Sequence, residues 1–145
     1  RNYQTCLDDL AIFSNNSTLA GHVTVGDHVT LAGMVAVHQF CKIGRHSFIA
    51  GGSLVRKDIP PYVKAAREPL SFVGINSVGL RRRGFDTNTI KSIQNIYRIL
   101  FQKKHNNTQA ISIIEAELEA TKERDEILSF IQNSQRGIMK GYFQN

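Results

Sequence analysis

The sequence predicts a β-helix-plus-α fold: a parallel β-helix of hexapeptide repeats followed by a C-terminal helical domain. Two patterns carry this prediction. Residues 7 to 55 repeat with a period of six, and residues 86 to 131 carry apolar side chains at the spacing of three and four that is typical of amphipathic helices. The 145 residues fit one domain, or one domain with an appendage. A hydrophobic fraction of 41% with 21% charged residues argues against disorder.

The repeat consists of large apolar residues at every sixth position. The nine positions are Leu7, Phe13, Leu19, Val25, Leu31, Val37, Ile43, Ile49 and Val55. The residue after each of them is often glycine, alanine or serine, and the residue four positions on is small or β-branched. Strands of an antiparallel sheet would instead alternate with a period of two and turn at irregular intervals. The period of six therefore favours short strands joined by corners.

Three hexapeptides make one triangular coil, so each residue is predicted to stack on the residue three repeats later. The predicted inner columns are Leu7, Val25 and Ile43; Phe13, Leu31 and Ile49; and Leu19, Val37 and Val55. Pro60-Pro61 is predicted to end the ladder, because proline has no N–H to donate. No such stop precedes the first repeat. We therefore expect the β-helix, residues 1–60, to be incomplete at its N-terminus.

The remaining chain divides into residues 61–85, expected to be an irregular connecting loop, and residues 86–145, expected to be a helical domain. Asp86 is the predicted N-cap of a first helix that runs to about His105. The segment Asn106-Asn107-Thr108 is predicted to be a loop that ends in a cap. The second and third helices are predicted from two apolar sets: Ile111, Ile114 and Leu118, then Ile127, Phe130 and Ile131.

Composition excludes several classes of protein. The longest apolar runs are far shorter than the roughly 20 residues that span a bilayer, and no secretory signal is visible. Two cysteines cannot form a disulfide framework, which favours a reducing compartment. The net charge of +6 suits an anionic ligand or partner. Nucleic acid is not favoured, because no nucleic-acid motif occurs and the basic residues are not interleaved with exposed aromatics.

Four of the five histidines lie in the repeat, and two of them, His28 and His46, are three repeats apart. These two should stack on neighbouring coils. A zinc site would need three converging ligands, and stacking within one chain supplies only two. We therefore interpret them as surface histidines at coil corners. The run Arg81-Arg82-Arg83-Gly84 fits either a bidentate grip on a diphosphate or a solvated basic turn.

Four strings in order resemble the acyl-[acyl-carrier-protein]–UDP-N-acetylglucosamine O-acyltransferase family, whose enzymes perform the first step of lipid A biosynthesis. They are STLAGHV at 17–23, AVHQFCKIG at 36–44, PPYV at 60–63 and GLRRRGF at 79–85. The resemblance runs from about Phe13 to the C-terminus. It implies a left-handed β-helix and a homotrimer in the bacterial cytoplasm, and it makes the chain the C-terminal portion of such an enzyme. The implied reaction moves a 3-hydroxyacyl group from acyl carrier protein to the 3-hydroxyl of UDP-N-acetylglucosamine, with no cofactor and no metal.

The resemblance also implies residues for catalysis and acyl binding. The Gly21 amide would form the oxyanion hole and His22 would support it at the substrate. His38 and Gln39 would lie against nucleotide or acyl-donor groups. Gly51 falls where the family sets acyl-chain length, and a glycine there implies an open groove and a long chain.

The nucleotide would be held by Asn76, Arg82 and Arg83. Val78 stands where an acidic nucleotide contact is common in the family.

The family's general base is a histidine, and counting back from His22 places its position at Tyr3. Tyrosine is a poor general base because its pKa is near 10. No other histidine precedes His22, so the general base is not present in this chain. One alternative is therefore a non-catalytic trimeric β-helix module that binds a nucleotide sugar. The others are the N-acyltransferase two steps later in the same synthesis, a coenzyme A acetyltransferase, and a zinc-dependent carbonic anhydrase.

Overall fold

A computed structural model of the chain describes residues 6–7, 11–14, 16–102 and 105–141. Its first part is a three-faced parallel β-helix of short strands that recur with the period of the sequence repeat. These strands are β1 (Cys6–Leu7), β2 (Ile12–Phe13), β3 (Thr18–Leu19), β4 (Thr24–Val25), β5 (Thr30–Leu31), β6 (Ala36–Val37), β7 (Lys42–Ile43), β8 (Phe48–Ile49) and β9 (Leu54–Val55).

Each face of this prism is a ladder that takes every third strand. Strands β1, β4 and β7 form the first face, β2, β5 and β8 the second, and β3, β6 and β9 the third. The register pairs Leu7 with Val25 and Ile43, Phe13 with Leu31 and Ile49, and Leu19 with Val37 and Val55. The predicted register of all three columns is therefore confirmed.

Burial of the inner columns increases along the prism. Phe13 near the start of the prism is 39% exposed, whereas Leu31 and Ile49 above it in the same column have no exposed surface. The small residues that follow the apolar positions allow the coils to approach. A Cβ on Gly44 would lie 2.4 Å from the backbone nitrogen of Pro61, so only glycine fits there.

Pro60 and Pro61 do not end the ladder on the second face, contrary to the sequence prediction. Strand β10 (Val63–Ala66) rejoins that face parallel to β8, with Lys64 opposite Phe48, where the repeat would have placed Ala66. The prolines lie in the preceding corner, where the ladder needs no N–H from them, and Tyr62 N donates to Arg45 O at 3.0 Å. Strands β11 (Ser71–Ile75), antiparallel to β10, and β12 (Lys140–Gly141), parallel to β11, extend the same sheet.

The segment from Pro60 to Gly84 is therefore not irregular as expected. It contains β10, β11 and the short helix α1 (Ser77–Arg82). The pairing of β10 with β8 is shifted relative to the hexapeptide register, and β11 runs antiparallel to β10. The sequence of this segment has no repeat or alternation that would have predicted these two strands.

Three longer helices follow, as predicted. They are α2 (Thr87–Tyr97), which continues as a π-helical turn (Arg98–Gln102), α3 (Asn107–Glu117) and α4 (Lys122–Gln132). Asp86 is the N-cap of α2, as predicted, and Asn106 caps α3 in a capping box with Gln109. Across the described ranges, no helix combines the length and apolar character needed to cross a membrane.

A stack of aromatic rings joins the helices to the sheet. Phe72 of β11 lies 4.7 Å from the Phe101 ring and 5.4 Å from the Tyr97 ring, measured between ring centroids. The Tyr97 hydroxyl donates to the carbonyl oxygen of Pro61 at 2.6 Å. The helical part is thus packed directly against the last coil of the prism.

Candidate functional site

Asn76 and Arg83 are brought together at one corner of the prism, on either side of α1. Asn76 follows β11 and is the N-cap of α1, where its Oδ1 accepts a hydrogen bond from Gly79 N at 3.3 Å. Its Nδ2 donates to the carbonyl oxygen of His46 at 2.9 Å, and the residue is 9% exposed. Asn76 is therefore held by both its oxygen and its nitrogen.

Arg83 is held by His46, the same residue that accepts from Asn76. Its Nε donates to Nδ1 of His46 at 2.9 Å. Among the residues that the structure describes, its Nη2 is buried and has no hydrogen-bond partner. Burial, and after it the charge of Arg82, lowers the pKa of the Arg83 guanidinium. Within the described residues no carboxylate pairs with this guanidinium, so its positive charge is available to attract an anion.

These residues line a cleft of about 430 Å³, which we call the basic cleft. The outer face of the second ladder supplies one wall, through Thr30, Phe48 and Lys64, and α1 supplies the other, with Arg82 and Arg83. Within the described chain no acidic side chain lines it. The cleft therefore combines three cations with no opposing carboxylate.

Lys64 was missed by the sequence analysis. It lies in β10, within the segment expected to be irregular, and its side chain is exposed. Its Nζ lies 5.8 Å from the centroid of the Phe48 ring. Only the pairing of β10 with β8 shows that it shares a cleft with the arginines.

Val78, where the resemblance implies an acidic contact, also lines the basic cleft and is 63% exposed. A valine in place of a carboxylate leaves the cleft more positive. Tyr3, where the resemblance implies the general base, lies outside the described residues.

Gly21, His22, His38 and Gln39 lie together at a second corner, between the third and the first face. Gly21 and His22 connect β3 to β4, and His38 and Gln39 connect β6 to β7 one coil above. The two connections are joined by a hydrogen bond from Phe40 N to Gly21 O at 3.4 Å.

The imidazole of His22 is exposed and stacks on the Phe40 ring, with 4.9 Å between centroids. His38 and Gln39 are also exposed. Across the described ranges, the amide N–H of Gly21 takes part in none of the hydrogen bonds between coils. Gly21 itself is buried, so this corner places a backbone amide beneath exposed polar side chains.

Gly51 lies at the third corner, between the second and the third face. It connects β8 to β9 and is exposed. A Cβ there would lie 3.2 Å from Gly33 O, which is a tight contact. Any larger residue would therefore add bulk at this exposed corner.

The predicted site residues thus fall into three groups on three different corners of one chain. The structure unites Asn76, Arg82 and Arg83, and separately unites the group of Gly21. It does not bring these two groups or Gly51 together, because each corner joins a different pair of faces.

The interpretation of His28 and His46 is correct in one respect and wrong in another. The rings stack as predicted, 4.9 Å apart. His46, however, is only 4% exposed and is not a surface residue, since Tyr62 and Phe85 cover it. In the ranges described, no group of three or more potential ligands converges to hold a metal ion.

Comparison with known families and proteins agrees with the resemblance. The model of the UDP-N-acetylglucosamine O-acyltransferase family, domain 2, matches residues 58–139. An acyl-[acyl-carrier-protein]–UDP-N-acetylglucosamine O-acyltransferase of Myxococcus xanthus is 45% identical over 118 residues, which cover 81% of this chain and 46% of that protein. The corresponding protein of Thiobacillus denitrificans is 39% identical over 91% of this chain and 51% of its own length. The chain spans about half the length of these curated relatives.

Solved structures show the same similarity. The UDP-N-acetylglucosamine acyltransferase of Bacteroides fragilis superposes with a TM-score of 0.92 at 41% identity, over 94% of this chain and 53% of that one. The Arabidopsis enzyme superposes with a TM-score of 0.88 at 37% identity, over 94% and 51%. The fold predicted from the sequence, a left-handed β-helix followed by C-terminal helices, is confirmed. By family model, sequence identity and fold together, this chain belongs to the UDP-N-acetylglucosamine O-acyltransferase family.

Proposed function

We propose that the chain serves the transfer of a 3-hydroxyacyl group from acyl carrier protein to the 3-hydroxyl of UDP-N-acetylglucosamine. This is the first step of lipid A biosynthesis, in the bacterial cytoplasm. The family supports the reaction, since the relatives are named for this donor and this acceptor. The observation that carries the proposal is the basic cleft, which Lys64, Arg82 and Arg83 line with no acidic side chain among the described residues.

In this proposal the basic cleft takes the diphosphate of the nucleotide sugar. Arg82 and Arg83 donate to phosphate oxygens, and Asn76 borders the same site. Lys64 adds a third positive charge on the opposite wall. A diphosphate is the part of the substrate that fits this charge, because it is a compact polyanion with several acceptor oxygens.

The second corner takes the reacting groups. The Gly21 amide donates to the oxyanion that forms on the thioester carbonyl, and His22 supports the sugar next to it. His38 and Gln39 contact nucleotide or acyl-donor groups. Gly51 leaves room for a long acyl chain.

We also propose that the working unit is a homotrimer. One chain holds the diphosphate group, the Gly21 group and Gly51 on three separate corners. In an assembly with threefold symmetry, a corner of one chain faces a different corner of its neighbour, so one cleft between chains can contain residues of both. One reaction needs the diphosphate residues, the Gly21 group and Gly51 at one site, and this need supports the homotrimer.

Binding of UDP-N-acetylglucosamine to the purified chain, measured by calorimetry, tests the nucleotide site. We expect Arg82→Gln to weaken binding by about tenfold or more, because it removes a charge-assisted contact to phosphate. Arg81→Gln is the matched control: Arg81 is also exposed and on α1, but it does not line the cleft. Equal effects of the two substitutions would overturn the assignment of the cleft.

The alternative function, a trimeric module that binds a nucleotide sugar without catalysis, is favoured by Tyr3 at the position of the base. Turnover with 3-hydroxyacyl carrier proteins of several chain lengths separates the two. Acyl transfer by the chain would establish the transferase. Tight binding of UDP-N-acetylglucosamine without any transfer would favour the module, and absence of both would contradict both functions.

A further inference from the structure

In the described part of the chain, His46 is the residue that accepts hydrogen bonds from the side chains of both Asn76 and Arg83. Its carbonyl oxygen accepts from Asn76 Nδ2 and its ring Nδ1 accepts from Arg83 Nε, each at 2.9 Å. Neither the sequence pattern nor the family resemblance indicated this pair of bonds. His46 thus touches the proposed nucleotide site without lining the basic cleft.

The His46 ring is immobilised by its neighbours. His28 stacks on it at 4.9 Å and Tyr62 at 5.7 Å, while Phe85 packs against it edge-on at 5.0 Å. The backbone is equally constrained: φ is 62°, and His46 N donates to Asp27 O at 2.8 Å. The position of Nδ1 is therefore set by the packing of this corner.

The hydrogen bond to Arg83 determines the protonation state of the ring. The guanidinium Nε–H can only donate, so Nδ1 must carry a lone pair and the proton must be on Nε2. Burial, followed by the charges of Arg83 and Arg45, lowers the pKa of His46 to about 3. The imidazole therefore stays neutral over the physiological range.

A neutral acceptor has a consequence that a carboxylate would not have. Aspartate or glutamate in this place would hold Arg83 equally well but would cancel its charge. His46 fixes the Nε side of the guanidinium and leaves its positive charge uncompensated for a ligand. Gly79 completes the arrangement, since a Cβ there would lie 2.6 Å from Arg83 Nη2 and from Asn76 Nδ2.

We propose that His46 is a positioning residue of the nucleotide site, which orients Arg83 and Asn76 towards the diphosphate of the substrate. This inference rests on the proposed function. Without the bond to Nδ1, the long Arg83 side chain must be ordered by the ligand itself. The rotamer freedom that an arginine then loses on binding opposes the association.

Calorimetric titration with UDP tests the role with three variants. His46→Phe keeps an aromatic ring but removes the acceptor, and Phe40 shows that phenylalanine tolerates this kind of corner, with a φ of 68°. His46→Asn places an oxygen near the position of Nδ1 and suits a positive φ. His28→Phe is the matched control, because His28 has the same corner geometry and no bond to Arg83.

We expect His46→Phe to weaken UDP binding about tenfold, while His46→Asn and His28→Phe stay within about threefold of the unmodified chain. Nitrogen-15 NMR of the unmodified chain should show His46 with Nδ1 unprotonated, a signature that packing alone would not require. Unchanged affinity in His46→Phe, or a proton on Nδ1, would overturn the inference.

Failure of the proposed function has a different signature. If the unmodified chain binds no UDP while NMR shows the bond between Arg83 Nε–H and His46 Nδ1, the nucleotide assignment is wrong and the role of His46 in it is overturned too. If the chain binds UDP and the NMR signature is absent, the nucleotide site stands and only the positioning role is overturned.

Discussion

Non-glycine residues with positive φ recur at every corner in the described part of the β-helix up to His46. They are Asn16, His22, His28, Met34, Phe40 and His46. A left-handed conformation costs a non-glycine residue roughly 1 kcal/mol, and the hydrogen bonds between corners offset it. Every third corner stacks in one column, which is why His22 meets Phe40 and His28 meets His46. The residue with positive φ at each corner therefore also determines which side chain stacks on the neighbouring coil there.

The low pKa of His46 predicts a dependence of stability on pH. Burial comes first and the charges of Arg83, Arg45 and His28 follow as causes of its fall from 6.5 to about 3, so the folded chain binds the proton less well than the unfolded chain. The stabilisation is complete above pH 6.5 and is lost as the pH falls towards about 3. We expect the free energy of unfolding, measured in urea at several pH values, to fall in that window.

Asparagine does not titrate, so the free energy of unfolding of His46→Asn should fall less steeply over the same pH range. Parallel curves for the two proteins would contradict the assignment to His46.

Gly51 predicts the preferred acyl length. Gly51→Met adds a side chain at an exposed corner, with its Cβ 3.2 Å from Gly33 O, and it should shift preference from longer chains to ten-carbon ones. The measurement is binding of UDP-3-O-(3-hydroxyacyl)-N-acetylglucosamine across a series of acyl lengths. UDP itself serves as the control ligand and should bind unchanged, because its site lies at another corner. An unaltered length preference would argue against a role for Gly51.

Among the contacts between elements, a polar cluster ties α4 to the prism. Glu126 accepts from the Tyr62 hydroxyl at 2.5 Å and from Arg45 Nε at 2.7 Å, across 64 and 81 residues of sequence. Arg45 Nη2 also donates to the Tyr62 hydroxyl at 3.1 Å. Burial, and then the hydrogen bond to Glu126, raises the pKa of Tyr62 well above its usual value. The corner that carries His46 is thus braced from the helical side.

Removal of the Glu126 charge tests this brace. We expect Glu126→Gln to lower the free energy of unfolding by about 1 to 3 kcal/mol, because its NH2 group would replace one of the two accepting oxygens and cannot accept a hydrogen bond. Glu115→Gln on the exposed surface of α3 is the control and should stay within about 0.5 kcal/mol. Urea denaturation of the three proteins makes the comparison. Equal stability of the two variants would show that the cluster contributes nothing.

In the molecule as a whole, the separation of the proposed site residues onto three corners connects the site with the proposed homotrimer. Exposed apolar side chains lie at two of them, with Met34 68% exposed and Phe40 54% exposed. Such residues on a rigid ladder are suited to contact another chain. The proposed trimer would cover part of this surface and unite the groups that one chain holds apart.

Light scattering of the purified chain measures the proposed assembly. We expect a mass of roughly three times 16.3 kDa. Met34→Lys should shift the mass towards the monomer, because it places a charge in an apolar contact. Gln94→Lys, the same change of charge on the exposed side of α2, should not. A monomer in the unmodified chain at micromolar concentration would contradict the homotrimer.

The β-helix and its register could be predicted from the order of the residues alone. The period of six from Leu7 to Val55 makes the residue three repeats ahead the stacking partner, and all three inner columns follow from that local rule. Asp86 was equally predictable, because an N-cap depends on its own side chain and the next three residues. Arg82 and Arg83 could be named from a contiguous string, and both line the basic cleft.

The contacts around the basic cleft and around His46 depend instead on how the strands and helices pack against one another. Strand β10 joins the second face after a shortened corner, so the position of Lys64 in the cleft has no counterpart in the repeat. The burial of His46 and its bond to Arg83 require a chain that returns 37 residues later, and Glu126 returns 81 residues after Arg45. Periodicity describes neighbours within the repeat, whereas these contacts join the repeat to segments that have no period in common with it.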